Sequence, residues 1–272
     1  MEVNYLKEKI MNINHKDVTF EIKVYENDWE YILKGNYLNK IISRCNYSFK
    51  RKVLFINNVN NIEQVKRYAS KKVSQGVIDE YFVVEEYAQE TLKYFNIEKE
   101  SFNGGYYYSI AELVSIYLCK TKYLLHFSSD AFLAENKINW IDDSIKIFEE
   151  KENIIVANPT WNFAFQQAKK ESISEMDDFY VGYGFSDQCY LIKCDIFKDQ
   201  IYNTNHIDSE RYPKYGGQLF EKRVDSFMRN NNKLRITHKK VSYIHINFPK
   251  KTNFLKNLYF KFFINKRLIK KR

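Results

Sequence analysis

The residues Tyr123-Leu124-Leu125-His126-Phe127-Ser128-Ser129-Asp130 run apolar for the length of a strand and then stop at two hydroxyls and a carboxylate. In an open α/β sheet, ligands settle just beyond the carboxyl ends of the strands. A carboxylate there could hold a metal–phosphate complex, because Mg²⁺ and Mn²⁺ take oxygen ligands and share them between protein, phosphate and water. The same residues could also simply close a turn, which Ser and Asp do well.

For Asp130 to stand at such an edge, the chain before it must build parallel strands. Val18–Tyr25, Lys52–Ile56, Val77–Val84 and Tyr123–Phe127 read as four strands. Between them, helical spacing is expected over Trp29–Cys45 (opened by Asp28), Ile62–Val73, Glu85–Phe95 and Tyr106–Lys120. This alternation implies right-handed crossovers and a largely parallel sheet. Beyond Asp130 the pattern predicts a helix at Trp140–Glu150 and strands at Asn153–Ala157, Cys189–Ile192 and Val241–Ile246. A further helix is expected over Gln218–Arg229, and the polar stretch Gln166–Gly184 reads as a loop over a site.

The 272 residues are 44% hydrophobic and 17% aromatic, enough for a sizeable core. Eight glycines and three prolines leave no flexible linker. Cys45, Cys119, Cys189 and Cys194 form no CxxC pair, so free thiols in a reducing compartment are expected rather than a zinc site. A polar N-terminus and the lack of a long apolar run predict a cytoplasmic protein. The +9 charge is uneven: Lys250–Arg272 holds nine of the 43 Lys and Arg and no acid, and the rest is balanced at 34 against 34. No Walker or GxGxxG motif is present, which argues against kinases, ATPases and dinucleotide enzymes.

The order of elements, with Ser128-Ser129-Asp130 in the place of a DxD element, resembles the GT-A nucleotide-sugar glycosyltransferases, in particular family-2-like bacterial enzymes. The resemblance covers roughly residues 17–245. It implies an α/β, GT-A-like fold: a mostly parallel Rossmann-like sheet flanked by helices. One catalytic domain would span 1–249, with 17–130 the nucleotide-binding half and 131–249 the acceptor half. It further implies a nucleotide-sugar donor, held by Tyr25, Asn27, Asp28, Asn58, Ser129 and Asp130, and a divalent Mn²⁺ or Mg²⁺ at Asp130 and His245. Loss of the first Asp to Ser128 weakens that metal element. Glu221, after Gly216-Gly217, matches the helix start that supplies a base in an inverting transfer; Asp187 is the rival. Turn and cap chemistry, a surface Glu221 paired to a neighbouring cation, and a satisfied core His245 are the plainer readings of the same residues. His126 reads as a core histidine. Trp161 and Asn162, with Phe163 and Phe165, could form an acceptor platform or belong to the core.

Residues 250–272 form a basic C-terminal tail in which Phe254, Leu255, Leu258, Tyr259, Phe262 and Phe263 suggest an amphipathic helix. It would lie on an anionic membrane, beside a lipid-linked glycan acceptor, or dock on the protein. The resemblance and the tail together imply bacterial surface polysaccharide or lipooligosaccharide synthesis at the inner face of the plasma membrane. The alternatives are a basic nucleic-acid-binding protein, disfavoured because the charge sits in one tail with no recognition motif, and another nucleotide-dependent transferase on a similar sheet.

Overall fold

Strand β1 (Val18–Val24) is buried along its whole length although Thr19, Glu21 and Lys23 alternate with its apolar residues. Its position explains this. In the computed structural model, which describes residues 17–134 and 137–248, β1 lies inside the sheet with strands on both edges and helices on both faces. The chain runs from β1 through α1 (Trp29–Leu33), α2 (Tyr37–Arg44), β2 (Arg51–Ile56), α3 (Ile62–Ser74), β3 (Glu80–Val83), α4 (Val84–Tyr94) and α5 (Tyr106–Leu118) to β4 (Tyr123–Phe127). These four strands are parallel, in the order β3-β2-β1-β4, as the strand–helix rhythm requires.

After β4 come β5 (Ala131–Leu133), α6 (Trp140–Glu150), β6 (Ile154–Trp161), α7 (Phe165–Glu171), β7 (Ser174–Met176), β8 (Phe179–Gly182), β9 (Cys189–Lys193), α8 (Cys194–Lys198), α9 (Phe220–Asn230) and β10 (Leu234–His245). The sheet continues as β9-β6-β10-β8-β7, with β5 paired to β10. Strand β9 joins β4 antiparallel, so both halves share one sheet. One apolar layer packs α1, α2, α3 and α6 on one face; the other packs α4, α5 and α9 on the opposite face. Tyr31 stacks on Phe248 at 4.7 Å, so the described chain ends against α1. The expected tail, 250–272, lies outside the described residues.

Three expectations need correction. The single helix over 29–45 is two, broken at Lys34-Gly35-Asn36, where glycine and asparagine are poor helix formers. Residues 166–184 are no loop over a site: they form α7 and the β7–β8 hairpin, whose β8 pairs with the first part of β10. The last strand begins at Leu234, not Val241; a register break between His238 and Ser242 hid its first half from a period-two reading.

Gly104-Gly105, just before α5, meets Gly216-Gly217, just before α9. A Cβ on Gly105 would stand 2.7 Å from the Gly216 carbonyl oxygen, and one on Gly217 would stand 2.4 Å from that of Ser101. Arg223 closes this contact from below, donating to the Gln218 carbonyl (2.8 Å) and the Ser101 hydroxyl (2.6 Å). The glycines thus fix the start of α9 against the start of α5. Gly217, at φ 59° and without room, should lose about 2–4 kcal/mol on substitution by Ala. Gly76, at φ 69° with open space, should lose only about 1 kcal/mol. Urea unfolding of the two variants checks the contrast.

Candidate active site

The carboxyl ends of β1 and β4 are laced together by one aspartate. Asp28 accepts the Tyr25 backbone N–H at 2.7 Å and the Ser129 hydroxyl at 2.6 Å. It is buried, and it ties together the two turns that border the cleft. Asp130 follows. Its Oδ1 accepts the Ser128 hydroxyl at 3.1 Å, and its Oδ2 meets His245 Nε2 at 3.1 Å. The hydrogen bond and charge of Asp130 raise the His245 pKa. Tyr25, Ser128, Ser129, Asp130 and His245 line one cleft of about 610 Å³ out to its open mouth, joined by Lys23, Tyr108, Glu112, His126, Asp187 and Gln188.

Several expected residues stand apart from that lining. Asn27 and Asn58 are exposed; Asn58 turns the chain at φ 48°, a left-handed conformation that asparagine tolerates. Its neighbour Asn57 is the buried one, donating to the Tyr107 carbonyl at 2.7 Å and so tying β2 to the start of α5. Trp161 packs against the core. Asn162 is exposed, yet its Oδ1 accepts the His245 backbone N–H at 2.9 Å. It therefore holds the His245 backbone in place.

The floor of the cleft is charged, which the sequence reading missed. Glu21 on β1, His126 on β4 and Tyr190 on β9 are cross-strand neighbours in register, and Lys23 lies two residues along β1 on the same face. Lys23 Nζ pairs with Glu21, with Glu112 of α5 at 3.0 Å, and contacts His126 Nδ1 at 3.0 Å. Tyr190 donates its hydroxyl to Glu112. All five side chains are buried. His126 is thus a satisfied interior histidine, as expected, but it is also part of the cleft wall. A carboxylate and an amine at i and i+2 on a strand flanked by helices on both faces were the available signal, because such a strand has no solvent side.

The two candidate bases are neighbours with different surroundings. Asp187 lines the cleft. Burial first, then the charge of Glu112, pushes its carboxyl up to about 6. Its peptide is held from both sides: His126 Nε2 donates to its carbonyl at 2.7 Å, and Glu221 Oε1 accepts its N–H at 2.9 Å. Glu221 is outside the cleft lining, and burial followed by the Asp187 charge holds its carboxyl well above the usual carboxylate range.

No family model matches the chain. The crystal structure of GalNAc-T7 with UDP, GalNAc and Mn²⁺ superposes at TM-score 0.51 and 12% identity, over 85% of this chain and 44% of that one. The chain has the GT-A fold. The glucosyl-3-phosphoglycerate synthase of Mycobacterium tuberculosis, solved with Mn²⁺, UDP and glucosyl-3-phosphoglycerate, superposes at TM-score 0.47 and 10% identity over 93% of this chain and 78% of that one. A curated relative, the uncharacterized protein L137 of Acanthamoeba polyphaga mimivirus, is 26% identical over 123 residues, 43% of this chain and 15% of its own length.

In this GT-A cleft, no cluster of three or more His, Cys, Asp or Glu side chains able to hold a metal gathers among the described residues. Asp130 and His245 bring two donors 3.1 Å apart, close to the ~3 Å edge of an octahedron around a small divalent cation. This pair fits a cation that arrives with phosphate oxygens and water, not one caged by protein alone. Beneath it, Lys23→Met would strand Glu21 and Glu112 as uncompensated charges, at a cost of about 3–5 kcal/mol at pH 7. Glu21 is held below its ordinary pKa against burial by Lys23 and then His126, so its contribution in the parent protein is present at neutral pH and lost on acidification. In the variant the sign reverses, because an unpaired buried carboxylate gains from a proton. Denaturation at pH 5 and pH 7 should show the stability gap narrowing at pH 5.

Proposed function

We propose that the chain is a glycosyltransferase that moves a sugar from a nucleotide-sugar donor to a glycan hydroxyl. The observation that carries this reading is the convergence, in one cleft at the carboxyl ends of β1 and β4, of the Asp130–His245 pair and the carboxylate of Asp187. The diphosphate would lie against Ser129, Asp130 and His245, with the nucleoside toward Tyr25. Mn²⁺ or Mg²⁺ held by Asp130 and His245 would neutralise charge on the departing diphosphate.

In the inverting transfer proposed, the acceptor oxygen bonds to the anomeric carbon while the bond from that carbon to the diphosphate breaks. The acceptor's hydroxyl proton passes to Asp187. A carboxyl poised near 6 is ionised at neutral pH yet basic enough to take that proton. Glu221 acts through the Asp187 peptide, as a positioning residue. The bacterial surface polysaccharide or lipooligosaccharide acceptor, the lipid-linked glycan, and a cytoplasmic enzyme working at an anionic membrane stay part of the proposal. They rest on the resemblance and on the basic residues 250–272. No helix among the described residues is long and apolar enough to cross a membrane.

Calorimetric titration with UDP-, GDP- and CDP-sugars in the presence of Mn²⁺ should give saturable binding to one nucleotide, weakened at least tenfold in Asp130→Ala. Asp187→Asn should retain donor affinity and lose about 10²–10⁴-fold in turnover. Glu221→Gln, whose amide oxygen can still accept the Asp187 N–H, should keep most of its turnover, whereas Glu221→Ala should not; an inactive Glu221→Gln with intact folding would return the base to Glu221. Because the base must be ionised, kcat/KM should fall about tenfold per pH unit below about pH 6, and Asp187→Asn should abolish that limb.

A further inference from the structure

Three residues upstream of Asp187, Gly184 sits beneath two arginines. A Cβ on Gly184 would stand 2.6 Å from Arg211 Nη2 and 3.4 Å from Arg235 Nη1, so the two guanidinium groups lie within about 6 Å of each other. Gly184 has φ 104°, a conformation open to glycine and hostile to other residues, and its missing side chain leaves both cations facing the loop. Among the described residues, no acidic group lies within ion-pair distance of Arg235, and its buried Nε has no hydrogen-bond partner. Arg211 is about half exposed and reaches only a long 3.7 Å contact to Asp225 and a 3.4 Å hydrogen bond to the Tyr212 hydroxyl. The Tyr212 hydroxyl also braces the loop, accepting the Phe185 N–H at 3.0 Å and donating to the Phe185 carbonyl at 2.9 Å.

Two guanidinium groups this close repel each other, and the enclosed one has no carboxylate in direct contact, Glu171 acting on both only at longer range. Burial lowers the Arg235 pKa first; Tyr212 and the Glu171 charge oppose that, and Arg211 adds to it. Elsewhere the enclosed arginines have partners: Arg223 bonds carbonyl, amide and hydroxyl oxygens, and Arg229 pairs with Asp225 and Asp208. An unpaired buried charge is costly, and an oxyanion that accepts from both forks relieves it. From Gly184 to Asp187 the chain spans at most ~11 Å, so an anion held by the arginines is within one or two sugar units of the proposed base. Neither arginine is among the residues that line the cleft with Asp130 and His245, so a diphosphate at that pair leaves the arginines free.

We propose that Arg211 and Arg235 form the anionic subsite of the acceptor, selecting a glycan or sugar that carries a carboxylate or phosphate and aiming its hydroxyl at Asp187. This rests on the transferase reading for its role, though not for its existence as a binding site.

The test uses the full chain with glucuronate, glucose 6-phosphate and uncharged glucose as probes, followed by calorimetry or ligand-observed NMR at fixed ionic strength. Both charged probes should bind at least tenfold more tightly than glucose. Preference for glucuronate alone would assign a carboxylate-bearing acceptor, and for glucose 6-phosphate alone a phosphate-bearing one; either supports the subsite. Arg235→Gln should remove the preference while leaving nucleotide-sugar binding unchanged, and Arg211→Gln, at a half-exposed position that folding tolerates, should reduce it severalfold. Equal binding of charged and neutral probes overturns the proposal, as does a charge preference that survives both substitutions. Anion binding without any nucleotide-sugar binding would overturn the transferase reading and leave the anion site standing; the reverse would overturn the subsite alone.

Discussion

The structure depends on a lysine enclosed between two carboxylates. Lys23, Glu21 and Glu112, with His126 beside them, form a charged layer under the cleft where an α/β sheet ordinarily has apolar side chains. Taking such charges from water costs several kcal/mol each, and their mutual attraction offsets this only with good geometry and satisfied hydrogen bonds. The geometry is supplied by strand register, which sets Glu21, His126 and Tyr190 in a row across β1, β4 and β9, and by α5, which brings Glu112 over them. A slip of one residue in any of these pairings would turn the charges into the wrong layer. The charged layer therefore locks the sheet register at the place where the cleft opens.

From this floor the site is built upward in rigid steps. His126 carries the constraint to the Asp187 carbonyl, while Glu221, fixed by the glycine contact at the start of α9, holds the Asp187 N–H. On the opposite wall Asp28 ties β1 to β4, and Asn162 holds the backbone of His245 against Asp130. Asp187, Ser129 and His245 are thus each held by a side chain outside the cleft lining, Glu221, Asp28 and Asn162 in turn. Catalytic arrangements need this, since placement errors of an ångström are expensive.

How much of this was legible in the sequence follows from what sets each feature. The four parallel strands and their crossovers were, because hydrophobic period and turn residues are local properties. Asp130 stood out because a polar residue ending an apolar strand marks a sheet edge; His245 was singled out from the resemblance, and only the fold brings the two, 115 residues apart, to 3.1 Å. The charged floor was not: Glu21 and Lys23 on an alternating strand look the same as a solvent face until the strand is known to be covered on both sides. The hydrogen bonds by which Asn162 and Glu221 hold a neighbour's backbone were not legible, since a side chain that acts through a neighbour's peptide leaves no pattern in the chain. The basic tail, which dominates the net charge, says nothing about the cleft, whose chemistry is set by a few buried groups.

The central claim is that the cleft above Lys23 receives a nucleoside diphosphate with its phosphates at Asp130 and His245. A crystal structure of the full chain with the nucleotide and Mn²⁺, collected to record manganese anomalous scattering, tests it most directly. The account predicts diphosphate density against Ser129 and an anomalous peak contacting both Asp130 and His245. A well-ordered nucleotide bound elsewhere on the molecule, with the Asp130–His245 ion pair intact, would contradict it.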